Sequence, residues 1–136
     1  MPTEPARYRL PWPPSVNNYW KRSKHGIYVT PAAKVFRQEV AIAAYAMNRP
    51  TLSGRLEVRI TAHPPNARKF DLDNLLKSTL DALEGARVFH NDNQIDHLTI
   101  ARADREPPGF LMVEIRERKP TPCEPTIGTP KNRPQP

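Results

Sequence analysis

The sequence predicts an α+β domain, a small mixed β-sheet with two helices packed on it. Arg55–Ala62 alternates apolar and polar residues at period two, and shorter runs near 98–100 and 111–115 do the same. Two stretches, 31–47 and 71–84, instead repeat their apolar residues at helical spacing. A chain of 136 residues with 38% hydrophobic side chains suits one domain with a core of its own. The single cysteine, Cys123, excludes an intrachain disulfide and a zinc–cysteine cluster. No apolar run reaches membrane-spanning length, and MPTEPARYRLPWPP lacks the apolar segment of a secretory signal. The expectation is a soluble cytoplasmic protein with no membrane partner.

Taken in order, Arg7–Leu10 reads as a short strand stopped by Pro11, Pro13 and Pro14, and Gly26–Val29 as another. Thr30 is an N-cap with Pro31 at the first helical position, and Phe36, Val40, Ala44 and Met47 mark the buried stripe of a helix over 31–47. In the strand 55–62, Leu56, Val58, Ile60 and Ala62 face the core while Arg55, Glu57, Arg59 and Thr61 face water. A second helix runs from Asp71 to Glu84, stopped by Gly85, with Leu72, Leu76, Leu80 and Leu83 inward. Leu98 and Ile100, then Leu111, Val113 and Ile115, mark two last strands, joined as an antiparallel hairpin through Pro107, Pro108 and Gly109. The domain therefore spans 1–118. The tail 119–136 holds 6 of the 17 prolines and one sizeable aliphatic residue, Ile127, and reads as disordered.

Charge is unevenly distributed. Residues 1–69 carry 12 basic and 3 acidic side chains; residues 70–118 carry 6 basic and 10 acidic. A basic half attracts a polyanion, whereas a carboxylate cluster repels one. Divalent cations held by the carboxylates reconcile the two by bridging to phosphate oxygens. The plainer reading is ordinary solvated surface.

The chemistry-bearing segment is Phe70-Asp71-Leu72-Asp73-Asn74-Leu75-Leu76-Lys77. In extended chain the two-residue spacing points Asp71 and Asp73 the same way, and a helix start places both at the positive dipole end. Lys77 follows Asp73 by four residues, with Asp81 one turn further on. The plain alternative makes Asp71 an N-cap and Asp73–Lys77 an exposed ion pair. Asp92 lies in His90-Asn91-Asp92-Asn93-Gln94, a turn expected to return towards the start of the helix and join Asp71 and Asp73; its composition also suits a plain turn. Three carboxylates without thiolate suit Mg²⁺ or Mn²⁺. The histidines show no zinc spacing, and there is no phosphate-binding glycine loop or HExxH. Pro13-Pro14-Ser15-Val16-Asn17-Asn18-Tyr19-Trp20-Lys21-Arg22, followed by Lys24, mixes amides, rings and cations. Asn17, Trp20, Lys21, Arg22 and Lys24 are candidate DNA contacts, as are Arg68 and Lys69 ahead of the acidic segment; a rigid loop with Trp20 packed on the core is the plain reading. Phe70 is either a wedge at an unstacked base or a core anchor.

PPSVNNYW at 13–20, DLDNLLKSTLDAL at 71–83 and Asp92 with Gln94-Ile95 together resemble the RusA family of Holliday junction resolvases, found in bacteria and their phages. The resemblance covers about residues 8–117. It implies a RusA-like fold and a homodimeric, metal-dependent endonuclease that cuts symmetric strands of four-way DNA junctions in recombination and repair. The family's essential carboxylates fall on Asp71, Asp73 and Asp92, and its essential lysine on Lys77. The family commonly carries two adjacent aspartates at the third position; here the first is Asn91. On this reading Mg²⁺ or Mn²⁺ generates the nucleophile from bound water, and Lys77 stabilises developing charge or protonates the leaving oxygen. The competing readings are a non-catalytic basic DNA-binding module of the same fold and a metal-dependent hydrolase of small nucleotides.

Overall fold

A computed structural model of the chain describes residues 4–15 and 19–118. Asn17 and the proline-rich tail 119–136 lie outside the described residues.

The elements run β1 (Ala6–Pro11), β2 (Trp20–Ser23), β3 (Gly26–Val29), α1 (Pro31–Met47), β4 (Arg55–His63), α2 (Asp73–Gly85), a 3-10 turn (Asp92–Gln94), β5 (Ile95–Arg102) and β6 (Phe110–Arg118). Four strands form a mixed sheet in the order β1-β6-β4-β5, and β2 pairs with β3 as a separate hairpin. The fold class is the α+β arrangement expected. β6 and β4 take the two inner places, and each buries an apolar face: Leu111, Val113 and Ile115 on β6, and Leu56, Val58, Ile60 and Ala62 on β4. β4 runs antiparallel to β6, with Ile60 opposite Val113, and parallel to β5, with Ile60 opposite Ile100.

This order corrects the expected hairpin between the last two strands. β5 and β6 do not pair; β4 lies between them. Residues 103–109 are too long for a tight turn, and they pack over the end of β4 instead. Ala103 N–H donates to the Ala62 carbonyl (2.8 Å) and Glu106 N–H to that of Pro64 (2.8 Å). Gly109 is required there: its φ is +90°, and a Cβ would stand 2.8 Å from the Pro65 ring. β2 was also not expected, because its residues read as a loop; a two-residue turn at Lys24–His25 folds it onto β3.

α1 starts as expected. Thr30 Oγ1 accepts from Ala33 N–H (3.2 Å), with Pro31 following. Ala33, Phe36 and Val40 are buried, but Met47 is exposed, so the stripe ends before the last turn. α2 begins at Asp73, with Leu72 at its N-cap. Its buried face is also rotated from the one expected. Leu75, Ser78, Thr79, Ala82 and Leu83 are buried, while Leu72, Leu76 and Leu80 are half-buried beside the core. Small residues allow close packing against α1, and the helix satisfies their hydroxyls itself: Thr79 Oγ1 donates to the Leu75 carbonyl at 2.6 Å.

The open sheet face carries Arg55–Asp96 and Arg7–Glu114 ion pairs. Hydrogen bonds from Arg55 and Arg7 hold the Asp96 and Glu114 carboxyls below their ordinary values of 3.8 and 4.5. Depressed carboxyls stabilise the fold above those ordinary values, and the contribution is lost as pH falls through the lower folded ones. A melting series below pH 4.5 is therefore expected to show a small loss of stability that Asp96→Asn blunts; both pairs are exposed, so the effect is modest.

Candidate active site

Asp71 and Asp73 flank Leu72 at the start of α2, and both are exposed. Neither carboxylate caps the helix: the N-cap is Leu72, without a side-chain bond, and Asp71 contributes only its backbone carbonyl, to Asn74 N–H (3.1 Å). Among the described residues the side chains of Asp71, Asp73 and Asp92 make no ion pair or hydrogen bond. Two carboxylates thus stand free at the positive end of a helix dipole, where charge is least costly.

The segment is anchored just before them. Phe70 is half-buried, edge-on to Trp12 with centroids 5.2 Å apart. Arg102, on β5, lies 4.4 Å over its ring and donates to the Phe70 carbonyl (3.2 Å). Of the two roles open to Phe70, the geometry is that of an anchor. Neither Trp12 nor Arg102 was singled out from sequence, since each is remote along the chain.

Lys77 does not pair with Asp73. Its ammonium lies 3.7 Å from Asp81 Oδ2 and 5.3 Å over the Trp20 ring. Trp20 is in turn braced by buried Tyr19 at 4.2 Å, whose hydroxyl accepts from Arg37 Nε (3.0 Å). The β2–β3 hairpin therefore reaches α2 through Trp20, with Lys21, Arg22 and Lys24 exposed on it. Arg68 and Lys69 are exposed ahead of Asp71.

Asp92 does not join Asp71 and Asp73. Its backbone N–H donates to Glu84 Oε1 (3.1 Å), at the far end of α2. At 1.5 Å per residue, Glu84 is about 16 Å along the helix from Asp73. β5 gives a second measure: Arg102 at its end touches Phe70, while Asp92 precedes its start, and eight residues of strand span about 23 Å. The cause is the crossover itself. Between parallel strands β4 and β5, α2 runs opposite to both, so residues leading into β5 remain at the helix C-terminus. The expected convergence is thereby corrected. Among the described residues no three His, Cys, Asp or Glu side chains are grouped to hold a metal. A centre built on all three aspartates does not fit within one copy of the chain; Leu72 has helical backbone (φ −59°, ψ −38°), so the extended-chain alignment of Asp71 and Asp73 does not apply, and what the two exposed carboxylates offer is hard oxygen donors of the kind Mg²⁺ prefers.

The turn carrying Asp92 is firmly held. Buried Gln94 accepts from His90 N–H and Asn91 N–H (both 2.8 Å) and donates to the carbonyls of Leu52 and Gly54 (3.1 and 2.9 Å). Asn91 Oδ1 accepts from Asn93 N–H (2.8 Å), a capping role that asparagine and aspartate fill equally well.

Comparison with known proteins agrees with these features. The family model described as endodeoxyribonuclease RusA matches residues 11–116, which include both the hairpin and the acidic segment. A crossover junction endodeoxyribonuclease RusA of Enterobacteria phage HK97 is 32% identical over 112 residues, covering 82% of this chain and 93% of the relative. Those of Escherichia coli K12 and Enterobacteria phage 82 are 34% and 32% identical over 109 residues, covering 79% of this chain and 91% of each relative. No helix among the described residues is long and apolar enough to cross a membrane. With a family match that takes in its basic hairpin, the strands from β4 onward and the helix start that carries Asp71 and Asp73, the chain belongs to the RusA family of endodeoxyribonucleases.

Proposed function

We propose that the chain is a Mg²⁺- or Mn²⁺-dependent crossover junction endodeoxyribonuclease that acts in the cytoplasm as a symmetric dimer, introducing paired nicks into four-way DNA junctions. The observation that carries the reading is the pair of unspent carboxylates, Asp71 and Asp73, presented by α2 in a chain whose named relatives are crossover junction endodeoxyribonucleases. Asp92 is too far along α2 to join them in the same copy, so a second copy is the source that fits, with Asp71 and Asp73 of one chain and Asp92 of the other holding the cation. A two-fold dimer supplies two such sites, matching the two equivalent strands of a junction. The cation, when bound, lowers the pKa of water and offsets phosphate charge. Lys77, steadied by Trp20 and Asp81, offers its ammonium to charge that develops at the scissile phosphate. Arg68 and Lys69, with Lys21, Arg22 and Lys24, grip the flanking backbone.

Incubating junction and linear DNA with the protein, in Mg²⁺ and in chelator, tests the reading. Paired nicks are expected in the junction with Mg²⁺ alone. Binding without nicks would make the chain a non-catalytic module. Junction affinity is also expected to fall steeply with salt, by roughly 0.9 in the log–log slope for each phosphate neutralised; a flat dependence would favour a small-nucleotide substrate. Lys77→Ala is expected to slow single-turnover cleavage about 10²-fold or more, as for a lost transition-state donor, with metal affinity held. If Lys77 serves only its pair with Asp81, activity stays normal.

A further inference from the structure

A cleft of about 500 Å³ opens between the C-terminal ends of α1 and α2, lined in part by Tyr8, Tyr45, Asn48, Arg49, Arg87 and Val88. Three features meet there. Tyr8, on the inner face of β1, is only 4% exposed, yet its hydroxyl has no hydrogen-bond partner among the described residues. A buried hydroxyl left unpaired is destabilising. Burial raises its pKa, and the Arg49 guanidinium lies close enough to act against that rise.

The side chains of Arg49 and Arg87, in turn, make no ion pair or hydrogen bond among the described residues. Finally, α2 closes with Val88 N–H to the Leu83 carbonyl and Arg87 N–H to that of Glu84 (both 3.0 Å). This closure leaves residue 87 at φ +65°, where glycine is favoured and arginine is strained. A cation serving only the helix dipole would be as effective within the last turn, in ordinary helical backbone; that turn holds no basic residue.

We propose that this cleft is a phosphate-binding site that holds a backbone phosphate of a DNA strand between Arg49 and Arg87, with the Tyr8 hydroxyl donating to it. Paired guanidinium forks match phosphate oxygens, and a guanidinium, more weakly hydrated than an ammonium, loses less hydration when it docks. Tyr45, 87% exposed at the rim, gives the neighbouring base a ring to stack on. The cleft lies at the end of α2 that carries Glu84 and hence Asp92, so a strand held there continues towards that carboxylate. The assignment of the phosphate to DNA rests on the function proposed above; a free phosphate ester has the same chemistry.

The test uses the full chain in chelator, so that no strand is cut. Arg87→Gly is expected to weaken junction binding about tenfold and to lower the log–log salt slope by about 0.9, one phosphate contact, while the melting temperature holds or rises as the strained φ is relieved. Tyr8→Phe removes no charge. It is expected to leave the slope unchanged, raise the melting temperature and weaken binding several-fold; it also covers the case in which Arg87→Gly folds poorly. In the second arm, millimolar inorganic phosphate is added without DNA. If it raises the melting temperature of the parent but not of Arg87→Gly, while the DNA slope is unchanged, the site takes a free phosphate ester. If both variants bind junctions with parental affinity and slope, and phosphate protects parent and variants alike, the cleft is not a phosphate site. If the parent binds no junction, the DNA reading fails, and the phosphate arm alone decides the cleft.

Discussion

Asp73→Asn is expected to reduce junction cleavage by about 10³-fold or more while leaving junction binding intact or tighter. The carboxylate is exposed, lies at the start of α2 and makes no ion pair or hydrogen bond among the described residues, so its removal breaks no structural contact. A neutral amide of the same shape keeps the helix start but supplies a far poorer ligand to a hard cation. Loss of several kcal/mol of charge stabilisation, at about 1.4 kcal/mol per tenfold in rate, gives a decrease of that size. Removing a negative charge also lowers the repulsion felt by phosphate, which is why binding does not suffer. Single-turnover cleavage and anisotropy binding on the same junction check the two halves separately. A variant that cuts at near-parental rate in Mg²⁺ would remove Asp73 from the metal site.

Much of the fold was legible because it is written locally. Thr30–Pro31 and the alternation from Arg55 to Ala62 depend on near neighbours, and both appear where the sequence places them. Sheet order was not legible, because β4 takes its central place through partners nearly forty residues away or more, at β5 and β6. The buried face of α2 was legible at Leu83 but misread at Leu72, Leu76 and Leu80, because leucines outweigh hydroxyl residues in any apolar count, whereas Ser78 and Thr79 are as fully buried as Leu83. The acidic pair of the site was legible as a motif, and so was Lys77. Asp81, one turn beyond Lys77, was legible as a neighbour on the same helix face; Trp20 was not, because it reaches Lys77 from a separate hairpin remote in sequence. The misplacement of Asp92 has a simple cause as well. A turn that follows a helix is read from sequence as returning to the helix start, but in a parallel crossover it is the next strand, β5, that makes the return.

That placement leads to the second large effect. Asp73→Asn and Asp92→Asn proteins are each expected to be inactive alone, yet dimers containing one of each should recover one active site. The chain with Asp92 replaced still provides Asp71 and Asp73, and the chain with Asp73 replaced still provides Asp92, so one of the two shared sites is whole and the other is doubly defective. Random association makes about half the dimers mixed, so about a quarter of all sites should be intact. Each mixed dimer should nick one strand and leave the junction unresolved, a product distinct from paired cutting. Co-expression with two different tags and sequential purification isolates the mixed species. Calorimetric titration with Mn²⁺ then gives a readout independent of cleavage, one complete site per mixed dimer against none in either parent variant. If Asp92 instead reached Asp71 and Asp73 of its own chain, every site in the mixed dimer would lack one carboxylate. No mixture would then restore either nicking or Mn²⁺ binding.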